Sequence, residues 1–203
     1  MSAHDPTVLP ADLPVPVDDG AAAHLAGMRL PDVALQATDG STVSLAGLPG
    51  RTVVYAYPRT GEPGRAMLVP EWDQIPGARG CTPQSCAFRD HYADLKRAGA
   101  DRVFGLSTQS TAYQREMAER LHVPFPVLSD EGLALTRALR LPTFEAGGLT
   151  LIKRLALVAD AGRITHVSIR CSRPTGTRPT CSPGSSATRP ADGPSPAQRE
   201  RPR

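Results

Sequence analysis

The sequence predicts one α/β domain, a three-layer α/β/α sandwich with a central mixed sheet. Three observations lead there. Short apolar runs alternate with segments whose apolar residues recur at helical spacing. The 203 residues, 40% of them hydrophobic, suffice to bury one sizeable core. Both ends read as leftovers: Met1 to Gly20 is rich in Pro and Asp, and from Ser168 onward there is one Ile and no Leu, Val, Phe, Tyr or Trp. The expected organisation is a disordered N-terminal extension over 1–28, a folded domain over 29–167 and a disordered Pro/Arg-rich tail over 168–203.

The elements follow in order. After an apolar strand, a helix starts near Cys81: Pro83 is tolerated in a first turn, and Phe88, Tyr92 and Leu95 recur at helical spacing up to about Arg97. Val103 to Ser107 reads as a buried strand. Tyr113, Met117 and Leu121 then mark a helix, and Val123 to Leu128 leads a short strand into Ser129-Asp130, a cap for the helix holding Leu135 and Leu139. Leu149 to Val158 and Arg163 to Val167 form a closing hairpin turned at Asp160-Ala161-Gly162. Met and aromatic positions on these helices read as core.

Chemistry concentrates in Gly80-Cys81-Thr82-Pro83-Gln84-Ser85-Cys86-Ala87-Phe88-Arg89-Asp90. Cys81 falls at a helix N-terminus, where unpaired amides and the positive end of the macrodipole favour a thiolate, so it is the candidate nucleophile. Cys86 lies five residues on, about 8–9 Å away between α-carbons in an ideal helix, beyond the span of about 7 Å that a disulfide tolerates. The two sulfurs meet only if the first turn unwinds. That suits a cycle in which Cys81 becomes a sulfenic acid and Cys86 condenses with it. The spacing alone fits a pair of inert, partly buried cysteines equally well.

Gly-Cys-Thr-x-Gln-x-Cys-x-Phe-Arg-Asp resembles the active-site segment of the Q-type, or bacterioferritin-comigratory, peroxiredoxins, and the likeness runs from about Leu30 to Val167. Leu30-Pro31-Asp32-Val33 through Asp39-Gly40 to Leu45 is similar to that family's opening hairpin, with Asp-Gly as the turn. Thr52 to Tyr57 and then Pro58 resemble the strand and proline leading into the site. Arg154-Leu-Ala-Leu-Val-Ala-Asp160 resembles the strand carrying the catalytic arginine. The resemblance implies a thioredoxin-like fold, Cys81 as peroxidatic and Cys86 as resolving cysteine, and Arg154 as catalytic arginine. A guanidinium is always charged and forked, suited to holding a thiolate and peroxide oxygens in line; without the likeness the position reads as a surface arginine. The family hydroxyl three residues before the reactive cysteine is replaced by Ala78. An insertion between Pro58 and Cys81 accounts for the departure, and Thr60, on its near side, is the candidate to supply that hydroxyl, although a Thr before Gly is also a common turn residue.

The resemblance further implies a thiol-dependent peroxidase acting on hydrogen peroxide or alkyl hydroperoxides, recycled by a thioredoxin-like reductant, without metal or organic cofactor, as a monomer or weak dimer. The alternative is a catalytically impaired interaction module on the same fold. Zinc is disfavoured because the C-x4-C and C-x9-C spacings lack a knuckle at both ends and His4, His24, His91, His122 and His166 are scattered. No Cys-x-x-Cys occurs, against a disulfide reductase. Nucleic acid is disfavoured too: seven Arg against Asp192 and Glu200 place +5 in the tail, leaving about −2 of the total +3 for the rest, and no aromatic residues interleave with the tail arginines. No apolar run reaches about 18 residues, and the start lacks a basic region followed by an apolar stretch, so neither a membrane span nor a secretory signal is expected. The expected location is cytoplasmic, where close cysteines read as a working pair rather than a staple. Read in a shifted frame with GC-rich codons, Ser168 to Pro183 gives a peptide similar to a redoxin ending, so the tail reads as a candidate frameshift product that replaces the family's final helix.

Overall fold

The computed structural model describes residues 9, 10 and 12–169. In Arg51–Ala56 (β3), apolar side chains point alternately to the two faces of a sheet: Val53 and Tyr55 join one core cluster and Val54 and Ala56 the other. A strand buried on both faces needs helices on both sides, and the rest of the chain provides them. β1 (Ala34–Ala37) and β2 (Thr42–Ser44) form the opening antiparallel hairpin around Asp39-Gly40. Gly40 takes a φ of 87° there, and Asp39 accepts hydrogen bonds from the amide and hydroxyl of Ser41.

Cys81–Asp90 (α1) and Tyr92–Arg97 (α2) follow β3 and a long connection; the single helix expected to about Arg97 is broken at His91, whose φ and ψ of −99° and 12° leave the helical region. β4 (Arg102–Ser107) pairs in parallel with β3, as does β5 (Val127–Ser129) with β4. α3 (Thr111–Arg120) between them is capped by the Ser110 hydroxyl, which accepts from the Tyr113 amide. Asp130 caps α4 (Ala134–Leu139) as expected, taking the amides of Leu135 and Thr136 at 3.0 and 2.7 Å.

The run expected as one strand from Leu149 to Val158 is two. β7 (Leu149–Ile152) pairs with β6 (Thr143–Ala146) in a separate two-stranded sheet, the chain turns off at Lys153-Arg154, and β8 (Leu155–Asp160) joins β3 in the main sheet and closes the hairpin with β9 (Arg163–Ser168). The main sheet therefore runs β2-β1-β5-β4-β3-β8-β9, a mixed, thioredoxin-like arrangement. α1, α2 and α3 pack their apolar residues on one face through Phe88, Leu95 and Met117, and α4 packs on the other through Leu135 and Leu139.

The boundary expected at residue 29 moves. Ala23–Leu25 forms a 3₁₀ turn, Ala22 and Leu25 are fully buried in the α4-side core, and His24 Nε2 is 2.9 Å from the carbonyl of Leu139. A short Ala-rich turn with one Leu has too little periodicity to announce itself, yet its Leu fills the core. At the other end, β9 includes Ser168 and Ile169 packs on the core; the rest of the expected tail lies outside the described residues. Among the described residues no helix is long and apolar enough to cross a membrane.

Candidate active site

α1 begins on Gly80, whose φ of 97° lies in the left-handed region that glycine enters without strain. The next residue, Cys81, is only 2% exposed. Its Sγ donates to the carbonyl of Ala78 at 3.3 Å and receives Nη2 of Arg154 at 3.2 Å. The sulfur thus sits at the start of α1, enclosed between the Ala78 carbonyl and the Arg154 guanidinium.

Arg154 reaches the sulfur because the chain breaks between β7 and β8. It is 4% exposed, and its other hydrogen bonds tie the segment before Cys81 together: Nη1 donates to Gly80 O at 3.3 Å and to Oε1 of Gln84, and Nη2 donates to Gly77 O at 3.0 Å and Arg79 O at 2.9 Å. Gln84 stands one turn along α1 from Cys81, so both face the guanidinium. The motif held that Gln in view, but only the contact with Arg154 gives it a place. An N-terminal stretch also reaches this segment: a Cβ on Gly80 would lie 3.5 Å from Leu9, and one on Gly77 would lie 3.1 Å from Pro16.

Pro58 is buried at the end of β3, its carbonyl accepting from the Ser107 hydroxyl at 3.1 Å. Thr60 is 1% exposed; its amide and hydroxyl both meet Oε1 of Gln109, at 2.9 and 3.1 Å, and its carbonyl accepts from the Tyr113 hydroxyl at 3.0 Å. Gln109 had no signal in the sequence. Its backbone N–H donates to Ser107 Oγ at 3.3 Å and its side-chain Nε2 donates to Thr60 O at 3.4 Å, so the loop after β4 orients the loop after β3. Thr60 and Cys81 line one cavity of about 340 Å³. Ala78, at the position of the family hydroxyl, is fully buried and offers its carbonyl to the sulfur instead.

Cys86 is half-buried in the same helix, and both thiols are free. Burial pushes the Cys86 thiol up; Arg89 pulls it back and Asp90 adds to the rise. α1 is continuous across both residues, and in a regular helix that spacing exceeds the span of a disulfide. Among the described residues no three His, Cys, Asp or Glu side chains gather as a metal site.

Comparison with known proteins identifies the family. The redoxin family profile matches residues 25–181. The chain is 38% identical over 141 residues to chloroplastic peroxiredoxin Q of Oryza sativa subsp. japonica, covering 69% of this chain and 56% of the rice protein. It is 38% identical over 131 residues to the chloroplastic peroxiredoxin Q of Triticum aestivum, covering 64% and 52%. It thus spans about half the length of these curated relatives. In fold it is similar to peroxidoxin BcpB of Mycobacterium tuberculosis, with a TM-score of 0.54 at 23% identity over 72% of this chain and 89% of that one. It is also similar to Xanthomonas campestris peroxiredoxin Q, with 0.55 at 23% over 71% and 87%. The family match across most of the described residues, the thioredoxin-like sheet and the similarity to peroxiredoxin Q place this chain in the redoxin family.

Proposed function

We propose that this chain is a thiol peroxidase in which Cys81 is the peroxidatic and Cys86 the resolving cysteine. The observation that carries the reading is the 3.2 Å contact between the Arg154 guanidinium and a buried Cys81 sulfur that opens on a cavity. The Cys81 thiolate attacks the terminal oxygen of ROOH; an S–O bond forms, the O–O bond breaks, and RO⁻ leaves to be protonated as water or alcohol. Sulfur is oxidised by two electrons and the peroxide is reduced by two. Arg154 holds the anion and the incoming oxygens, and Thr60, in the cavity wall, hydrogen-bonds the peroxide; Pro58 fixes the loop that carries Thr60. The first turn of α1 then unwinds, and the Cys86 thiolate attacks the Cys81 sulfenic acid. A disulfide forms and hydroxide leaves, taking up a proton as water. A dithiol of the thioredoxin kind reduces the disulfide, which closes the cycle in a reducing compartment.

Rapid mixing with one equivalent of peroxide, followed by alkylation and mass spectrometry, tests this. Cys81→Ser consumes no peroxide, whereas Cys86→Ser completes one turnover and stops at the sulfenic acid. Equal loss of the first turnover in both variants contradicts the assigned roles.

A further inference from the structure

The cavity in front of Cys81, walled by Thr60, Tyr113 and, from the insertion, Trp72, serves the first chemical step. The second step depends on what holds Cys86. The two halves of α1 are moored separately. Arg154 grips the residues around Cys81, through the carbonyls of Gly77, Arg79 and Gly80 and the side chain of Gln84. The far half has contacts of its own: the Phe88 ring stacks on Tyr55 of β3 with centroids 4.1 Å apart, and Nη1 of Arg89 donates to the carbonyl of Leu121 at 2.7 Å. Leu121 is the C-cap of α3, where a carbonyl lacks an intrahelical donor and carries the negative end of the helix dipole. A cation suits it. When the first turn opens, the half of α1 beyond Cys86 stays tied to β3 and α3.

Arg89 also follows Cys86 by three residues, on the same side of α1. The charged and titratable groups around that sulfur are unequal in effect. From α1 itself come Arg89 and Asp90, which pair at 2.8 Å; from α3 comes Arg120, which pairs with Glu116 at 2.6 Å; from β3 comes Tyr55, whose phenol burial holds neutral at neutral pH. Burial pushes the Cys86 thiol up, and among the charges Arg89 does most to bring it down.

We propose that Arg89 is the positioning residue of the resolving step: moored on the end of α3, it keeps the Cys86 half of α1 fixed while the first turn opens, and it holds a positive charge beside the sulfur that must ionise. This rests on the reading of Cys86 as the resolving cysteine. In that step the Cys86 thiolate forms the S–S bond, the S–O bond of the Cys81 sulfenic acid breaks, and hydroxide leaves to be protonated as water. Arg89 acts on this half of the cycle and not on the attack of Cys81 on peroxide.

The experiment follows both steps in the full chain, in Arg89→Gln and in Arg89→Met, by rapid mixing with one equivalent of peroxide, acid quench, alkylation and mass spectrometry. Alongside, with no peroxide present, the pH dependence of Cys86 alkylation by iodoacetamide is read from its own peptide in Cys81→Ser with and without each Arg89 substitution. The expected result is an unchanged rate of sulfenic acid formation, a fall of about threefold or more in disulfide closure at neutral pH, and an alkylation midpoint moved to higher pH. Two substitutions are used so that misfolding of one leaves the other to decide; failure of both to fold makes Arg89 a structural residue and ends the proposal. In a folded variant, a midpoint that stays at the parent's pH, closure at the parent's rate, or equal slowing of both steps overturns the role of Arg89 and spares the peroxidase. A parent in which peroxide never links Cys81 to Cys86 overturns the resolving reading and the proposal with it, and that failure is seen in the parent alone, the other only in the variants.

Discussion

A guanidinium between a sulfur and three backbone carbonyls has two duties, and they separate on substitution. Arg154→Lys keeps a positive charge but loses the fork, so it cannot hold Cys81 and the carbonyls of Gly77 and Arg79 together. The second-order rate of peroxide consumption, read by stopped-flow, is expected to fall about a hundredfold. A rate within twofold of the parent removes Arg154 from the chemistry. Cys86 makes a pH prediction of definite sign. Burial raises its pKa, so at neutral pH it is a thiol, and the fraction able to attack a sulfenic acid grows as pH rises. Disulfide closure in quenched samples should therefore accelerate from about pH 7 to about pH 9; a flat profile would mean that unwinding of α1, not ionisation, limits it. Among single residues, the contact of Cys81 with Arg154 was legible only through the family resemblance, since without it Arg154 reads as a surface residue. Gln84 and Gln109 were not: each matters through one partner brought near by a different element, which spacing along the chain does not encode.

At the scale of elements, the start of α1 decides whether the sulfurs stay apart. Gly80→Ala would place a Cβ at a φ of 97° and against Leu9. The strain, about 1 kcal/mol or more, falls on the turn that must open. Amide hydrogen exchange in Thr82 and Gln84 is expected to speed up several-fold while that of β3 stays slow; protection equal to the parent's would show that the turn is held by something other than its glycine cap. Strand and helix positions read well from the sequence where periodicity was clean, as in β4 and α3. The break at Lys153-Arg154 was hidden because apolar residues continue on both sides of it. A strand pattern records which residues are buried and not which sheet buries them, and here the change of sheet is what turns Arg154 inward.

Across the whole molecule, the sheet divides the interior into two cores, with the redox helix on one side and the N-terminal turn on the other. Leu25→Ala therefore leaves a void in the core opposite Cys81. It is expected to cost about 2–5 kcal/mol in urea unfolding with little change in the first-turnover rate; a loss below about 0.5 kcal/mol would return residues up to 28 to the status of a loose extension. The insertion was visible as extra length, but its role was not, since its apolar residues follow neither helical nor strand period and gain their meaning only against β6 and β7. For the segment beyond Ile169, sequencing the encoding DNA tests the shifted-frame reading directly; the family match, which runs in frame to Cys181, counts toward the in-frame reading.

Trp72 is the single tryptophan of the chain, and it stands in the wall that Cys81 faces. Its emission is thus a built-in optical reporter, free of any competing indole. After mixing with peroxide, a fast change should mark the new charge and oxygen on sulfur, and a slower one the opening of the neighbouring helix end. In Cys86→Ser the fast signal should survive alone, so that light from one ring times the two halves of the cycle without a label.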